Sequence, residues 1–240
     1  MKIAVVVPTY NEKENVPRLV AQIEKVFAKH SISGYIVIVD DNSPDGTGVI
    51  ADSLARVHGN IHVIHRTSKL GIGSAYREGF KHAMALKCTA VIEMDADLSH
   101  NPSLIPSFIS QIEEGYSVVV GSRYVKGGNI VGWSWVRRLI SRGANLLARS
   151  VLQLSPFDVT SGYRAYHTSV LSRLDLSTIK SDGYAFQVEM IYRAQKEHFK
   201  IREIPITFID RKFGKSKLGK REILGYASFI LSSKLHAMKP

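Results

Sequence analysis

The chain holds a single cysteine, Cys88, which excludes an intramolecular disulfide and any cysteine-rich zinc site. Cys88 falls in a helix-to-strand connection and reads as a passive small residue. The nine histidines show no metal-ligand spacing. No segment reaches the roughly 20 consecutive apolar residues that span a bilayer. The apolar run after Lys2 is too short for a signal peptide and reads directly as a strand. There is no Gly-Lys-Ser/Thr phosphate loop. Gly71-Ile72-Gly73 lacks the third glycine of a dinucleotide fingerprint, because Tyr76 stands at that offset. These absences predict a soluble or membrane-peripheral protein of a reducing compartment, one that holds any nucleotide by another arrangement. Acidic residues are also few: 21 Asp and Glu against 32 Lys and Arg give a formal net charge of +11. That excess favours a polyanionic partner, whether nucleic acid, a phosphate-rich substrate or an anionic membrane face.

What is present is enough apolar residue, 45% of 240, to pack one domain. Ile3 to Val7 is a short apolar run closed by Pro8. A helix follows to about Lys29, with an apolar face at Val16, Leu19, Val20, Ile23, Val26 and Phe27. Tyr35 to Val39 and Ile61 to Ile64 read as strands, and about Ser74 to Leu86 as a helix. After them come a helix from Asn101-Pro102 to about Glu114, a strand at Val118 to Val120 and a short strand within Thr160 to Tyr166. A helix opens at Gly183 to Met190, and Phe199 to Phe208 is strand-like. Strands alternating with helices predict an α/β fold, a mostly parallel sheet with helices on both faces.

Val91-Ile92-Glu93-Met94-Asp95-Ala96-Asp97-Leu98-Ser99-His100 is an apolar run ending in two aspartates. Ligands of such sheets bind at the carboxyl ends of strands. Residues two apart on a strand point the same way, so Asp95 and Asp97 are expected to converge. Carboxylates that converge repel unless a cation or a proton lies between them. A hard divalent ion, Mg²⁺ or Mn²⁺, which also holds substrate phosphates, suits that place. The competing reading is a strand-end turn with both aspartates solvated or capping the next helix. Polar residues recur at the neighbouring strand ends, at Thr9 to Glu12 and Asp40 to Asp45.

Two cationic sets lie in the second half. Trp133 to Leu154 carries apolar residues at 135, 136, 139, 140, 146, 147, 151 and 154, a helical period, with Arg137, Arg138, Arg142 and Arg149 off the stripe. One reading is a core helix with a solvated cationic face, preferred for Arg149; the other is a helix lying at a membrane interface. Arg211, Lys212, Lys215, Lys217, Lys220 and Arg221 read either as a lid over pyrophosphate or as a solvated charge run. Residues 223–235 read as an apolar helix too short to cross a membrane.

Taken in order, Val7-Pro8-Thr9-Tyr10-Asn11-Glu12, Asp40-Asp41-Asn42-Ser43-Pro44-Asp45-Gly46-Thr47, Asp95-Ala96-Asp97-Leu98-Ser99-His100, Gly121-Ser122-Arg123-Tyr124 and Ile140-Ser141-Arg142-Gly143-Ala144-Asn145 resemble the dolichol-phosphate (polyprenol-phosphate) mannose synthases. These are family-2 glycosyltransferases of the GT-A fold. The resemblance continues through Gly183 to Met190 and Ser216-Lys217-Leu218, and it is to the compact forms without transmembrane helices. It implies one GT-A domain over 1–240 with peripheral amphipathic helices. Residues 1–125 form the nucleotide-sugar half and 126–240 the acceptor and lid half. The implied activity is that of a dolichyl-phosphate β-D-mannosyltransferase serving protein glycosylation. Mannose moves from GDP-mannose to dolichyl or another polyprenyl phosphate with inversion, at the cytoplasmic face of a membrane. Nucleic acid is not a substrate, and a membrane-embedded partner subunit is left open.

By position, the resemblance implies that Pro8, Tyr10, Glu12, Val39 and Asp41 hold the guanosine. Asp95, Ala96 and Asp97 surround diphosphate and sugar; Asp95, Asp97 and Ser99 hold the metal; Arg211 and Lys217 cover the pyrophosphate. Arg123, Arg137 and Ser141 take the acceptor phosphate, with Asp97 and Arg123 as the catalytic pair. Lys180 stands nearest to where a further lysine is expected. A phosphate monoester, with its second pKa near ~6, is already an anionic nucleophile, so no general base is required. Bringing two anions together is the difficulty: unit charges ~4 Å apart cost about 4 kcal/mol at an effective dielectric of 20. Arginine's planar fork suits the task. The alternatives are a glucosyltransferase using UDP-glucose, a non-catalytic scaffold at a membrane, and a basic nucleic-acid binder. The nucleic-acid reading has the net charge in its favour and lacks the aromatic platforms of single-strand binders.

Overall fold

The computed structural model describes residues 1–210 and 225–231. Four strand–helix steps open the chain: β1 (Lys2–Thr9), α1 (Val16–Lys29), β2 (Ser33–Asp40), α2 (Thr47–Val57), β3 (Ile61–His65), α3 (Ile72–Ala85), β4 (Ala90–Glu93) and α4 (Ile105–Glu113). The rest is less regular: β5 (Val118–Ser122), β6 (Asn129–Val131), α5 (Trp135–Leu152), β7 (Arg164–His167), α6 (Thr168–Arg173), α7 (Gly183–Lys196), β8 (Ile201–Pro205) and β9 (Thr207–Ile209). A seven-stranded sheet runs in the order β3-β2-β1-β4-β7-β5-β8. Six strands are parallel, and β7 runs antiparallel between β4 and β5.

Strand alternation sorts the core into two layers. Ile3, Val5 and Val7 of β1 join Leu19, Ile23 and Phe108 on one face of the sheet. Ala4 and Val6 join Tyr76, Phe80, Phe186 and Ala148 on the other. Gly79 of α3 is glycine for a packing reason: a Cβ there would lie 2.3 Å from Val6 Cγ1. The chain leaves β1 toward β2 and β3, then returns to β1's other side with β4. That reversal is the switch point at which α/β sheets open a crevice. The ends of β1, β2, β4 and β5 therefore share one edge. A two-stranded parallel ribbon, β6 with β9, lies by it, and Ile209 N–H donates to Ser99 O across 3.3 Å.

One expectation needs correcting, and one of the two readings of α5 falls. β4 stops at Glu93, so Asp95 and Asp97 sit on the turn beyond it. Strand alternation does not set their direction; the turn does, with Leu98 at φ +63°. The stripe on α5 does not face the core. Trp135 is 75% exposed and Leu146 62%, with Val136, Leu139, Ile140 and Leu147 also outward. Asn145, Ala148 and Leu152 are the buried positions. Periodicity reports that a helix has an apolar face, not which side the protein takes. Among the described residues no helix is long and apolar enough to cross a membrane.

Candidate active site

The ends of β1 and β2 are tied together first. Pro8 pairs in register with Val39, and Thr9 with Asp40. Asp40 accepts from Thr9 Oγ1 (2.8 Å), Ser43 N–H (3.0 Å) and Ser43 Oγ (2.6 Å), so it organises the loop. Asp41 turns the other way and accepts from Arg66 Nη1 at 2.6 Å. Burial raises the Asp41 pKa, with Arg66 opposing. Arg66 also reaches Gly71 O (3.2 Å) and Ser74 Oγ, which links β2's end to the start of α3. Tyr10 lies half-buried with Lys69 Nζ 4.0 Å above its ring. Glu12 N–H donates to Thr47 Oγ1 at 2.9 Å. Pro8, Tyr10, Glu12 and Asp41 thus gather at the ends of β1 and β2, Val39 is buried in the core beneath them, and Asp41's carboxylate already meets a guanidinium.

The acidic turn follows β4. Asp97, buried, accepts from Ser99 N–H at 3.0 Å, an Asx turn that aims its carboxylate. The Asp95 carboxylate keeps 31% exposure and accepts from Tyr76 Oη at 3.2 Å. Tyr76 is buried, and burial together with the fields of Asp95 and Glu93 holds its proton on. The Asp95 N–H donates to His100 Nδ1 at 3.2 Å. Because that N–H can only donate, Nδ1 is bare and Nε2 carries the hydrogen, 3.9 Å from Asp95 Oδ2. Burial lowers the His100 pKa and keeps the ring neutral. Tyr163 stacks on that ring with centroids 4.9 Å apart. Gly162 lies opposite, where a Cβ would come 3.6 Å from Asp95 Oδ1 and 3.7 Å from Gln187 Nε2.

Behind the turn lies a buried polar set. Glu93 and Arg164 are fully buried and 3.7 Å apart. Arg164 donates to Gln187 O (2.6 Å) and Val159 O (2.7 Å), and Tyr166 Oη donates to Glu93 at 3.3 Å. Burial pushes Glu93 up to about 8 against the pull of Arg164. This set joins β4, β7 and α7 beneath the aspartates.

The cationic side gathers on Trp133. Arg123 Nε and Nη2 reach the two oxygens of Asp158 at 2.7 Å each, and Nη2 also donates to Thr160 Oγ1 at 2.9 Å. Burial works against the Arg123 charge, and Asp158 more than restores it, raising its pKa. Arg137 Nη1 lies 3.0 Å from both Asp210 oxygens, and its guanidinium is 4.1 Å over the Trp133 ring, where Arg123 stands at 5.3 Å. Ser141 Oγ accepts from Tyr124 Oη at 2.7 Å. The structure therefore brings Arg123, Arg137 and Ser141 together, but each guanidinium already faces a carboxylate. Lys180 Nζ turns back onto Ser177 O at 2.8 Å. Arg211 and Lys217 lie outside the described residues.

Asp158, Asp210, His100, Tyr76 and Gln187 were missed from the sequence. The first two are lone acids without a spacing signal. Glu93 did carry one, a carboxylate inside an otherwise apolar strand. Among the described residues no group of three or more His, Cys, Asp or Glu side chains forms a metal cage. Asp95 and Asp97 offer hard carboxylate oxygens, and Ser99 Oγ, two residues on from Asp97, is buried with no partner among the described residues. Oxygen donors with one hydroxyl orphaned fit a hard divalent ion.

Residues 4–175 match the family model described as glycosyl transferase family 2. A polyprenol monophosphomannose synthase of Mycolicibacterium smegmatis is 41% identical over 220 residues, 91% of this chain and 82% of its own. An undecaprenyl-phosphate mannosyltransferase of Micrococcus luteus is 39% identical over 218 residues, 91% and 88% of the two chains. Among solved structures, glucosyl-3-phosphoglycerate synthase of Mycobacterium tuberculosis, in complex with Mn²⁺, UDP and phosphoglyceric acid, superposes with a TM-score of 0.70 at 18% identity. That match covers 97% of this chain and 78% of that one, and it bears on fold alone.

Proposed function

The chain belongs to glycosyl transferase family 2, and from that membership we propose that it moves mannose from GDP-mannose to the phosphate of a polyprenyl phosphate, dolichyl or bacterial, with inversion. The observation that carries the reading is the pairing of an oxygen-only acidic turn with a cationic cluster on Trp133. The named activities of the two curated relatives agree with it. Asp95, Asp97 and Ser99 would hold Mg²⁺ or Mn²⁺, which supplies charge neutralisation for a departing nucleoside diphosphate. His100 fixes the Asp95 backbone and faces its carboxylate, and the Asx turn at Ser99 fixes Asp97. Pro8, Tyr10, Glu12, Val39 and Asp41 form the nucleoside corner, with Ala96 between the two aspartates. Arg211 and Lys217 are proposed to cover the diphosphate.

On the acceptor side, Arg123 has its Nε and Nη2 held by Asp158 and Thr160, which leaves Nη1 for the phosphate, and Arg137 and Ser141 complete the contact. Such prepositioned donors reduce the repulsion between two anions without reorganising during attack. No residue need remove a proton, because the attacking oxygen is ionised. The outward apolar face of α5, flanked by arginines, fits a helix lying in a bilayer surface where a polyprenyl chain resides. We assign the cytoplasmic face, the side on which nucleotide sugars are made.

The test is transfer of labelled mannose from GDP-mannose into organic-extractable lipid. Asp97→Asn is expected to lower turnover about a thousandfold, the loss of several kcal/mol of charge stabilisation, with the melting temperature kept. Chelation should act in the same direction. Transfer from UDP-glucose in preference to GDP-mannose would overturn the donor; normal turnover in a folded Asp97→Asn variant would overturn the metal's place.

A further inference from the structure

The arginines of α5 do not all belong to the cluster on Trp133. At about 100° per residue, Arg138, Arg142 and Arg149 fall within about 40° of one another, and Arg137 lies more than about 100° away. A groove of about 370 Å³ opens on their flank, between α5 and the turn after β5. Arg142, Leu146 and Arg149 line its helix side, with Tyr124, Phe157 and the edge of Arg123 opposite. Arg149 lies 4.1 Å over the Phe157 ring, and Arg142 is 5.9 Å from the Tyr124 ring.

These guanidiniums differ from those on Trp133 in one respect. Arg123 and Arg137 meet carboxylates. Arg142 and Arg149 meet none among the described residues, and Arg149 Nε is buried without an acceptor. Arg149 is thus half-buried, not fully solvated. An unsatisfied buried N–H is a cost that an incoming anion removes. Aromatic platforms hold a flat guanidinium still and leave its edge free for the forked contact that phosphate accepts. α5 carries no acid to compete, since Trp135–Leu152 contains neither Asp nor Glu. The groove also adjoins the outward sector of Trp135, Leu139, Leu146 and Leu147. A helix lying with that sector in acyl chains places its flanking arginines at headgroup level.

We propose that this groove binds the phosphate of a bilayer phospholipid, an anionic headgroup held between Arg142 and Arg149, apart from the acceptor's phosphate at Arg137 and Ser141, with Arg123 on the border between the two. The proposal rests on the lipid-acceptor reading for its reason to meet a membrane, and on the groove for its site.

The probe is sedimentation with phosphatidylcholine vesicles, with and without phosphatidylglycerol. The wild-type chain is expected to bind phosphatidylglycerol vesicles more tightly. Arg142→Gln with Arg149→Gln should lose more than the about thirtyfold that two surface charges account for alone. Arg149→Lys is the deciding variant: it keeps the charge and loses the stacked fork, so it should bind severalfold more weakly. Binding equal to wild type would reduce the surface to general charge and overturn the site. Transfer to polyprenyl phosphate dispersed in detergent should be unchanged in all these variants. A loss there equal to the loss on vesicles would give the groove to the acceptor and overturn the proposal. Vesicle binding is read without nucleotide sugar. A chain that passes the Arg149→Lys test yet transfers no mannose refutes the proposed function and leaves the groove standing.

Discussion

α1 and α5 carry similar amphipathic patterns and are held to the sheet in opposite ways. α1 presses Val16, Leu19, Val20, Ile23 and Phe27 into the core, with a partly buried bond from Asn60 Nδ2 to Glu24 Oε1 at 2.9 Å beside them. α5 turns its large apolar residues outward and is fastened by a polar seam. Asn145 Oδ1 accepts from Val159 N–H at 2.7 Å, and Asn145 Nδ2 donates to Thr160 Oγ1 at 3.0 Å. Thr160 in turn meets Arg123, which is locked to Asp158, and Tyr124 bonds Ser141. Only small or few apolar groups, Ala148 and Leu152, are buried beneath the helix. A helix whose large apolar residues face outward loses the usual adhesive of folding. Directional bonds to the body replace it, and they also fix the cationic side of the site.

Breaking the seam should do the most damage. Asp158→Ala leaves the buried Arg123 charge without its partner, and it is expected to cost about 3–5 kcal/mol by denaturant unfolding. The pH dependence follows in sign. Burial opposes the charge on Asp158, but Arg123 holds its pKa below the ordinary carboxylate value. The pair's stabilisation is therefore complete above that ordinary value and is lost as pH falls through the lowered one. The variant should show a flatter acid limb. An Asp158→Ala protein as stable as wild type would mean that α5 is held by something other than this seam.

Next in size is the contrast between the helices. Leu19→Ala, in the core, should cost about 2–5 kcal/mol, whereas Leu146→Ala on α5 should stay within about 0.5 kcal/mol in solution. On vesicles the order reverses: Leu146→Ala should weaken binding about tenfold, and a stable Leu19→Ala protein should bind as wild type. Equal destabilisation by both substitutions would remove the distinction.

That contrast also marks where sequence reading reached and where it stopped. Local signals placed the strands, the helices after them and the acidic pair close to a strand end, because apolar period, Pro and Asx residues act over a few positions. The family resemblance, on ordered motifs, brought Arg123, Arg137 and Ser141 together before any coordinates did. What failed was non-local. Nothing near Asp158 or Asp210 indicates which arginine it meets, since those partners are 35 and 73 residues away. The orientation of α5 depends on which side the sheet occupies, and its own periodicity cannot encode that. β7, antiparallel among parallel strands, and the β6–β9 ribbon escaped notice for the same reason.

The smallest expected effect concerns the second carboxylate of the cluster. The Arg123–Asp158 pair is sealed, with side chains 5% and 0% exposed; Arg137 and Asp210 keep 25% and 30%. A partly open pair of this kind contributes at most about 1 kcal/mol, so Asp210→Asn should leave the melting temperature nearly unchanged. Its consequence lies in binding. If Arg137 takes the acceptor phosphate, it must exchange one anion for another, and Asp210 competes for the same donors. Removing that competitor should lower the acceptor KM by up to about fivefold, with kcat held and the GDP-mannose KM unmoved. The opposite result, a raised acceptor KM, would show that Asp210 positions Arg137 as Asp158 positions Arg123. The two arginines on Trp133 would then be one kind of site, distinguished only by depth.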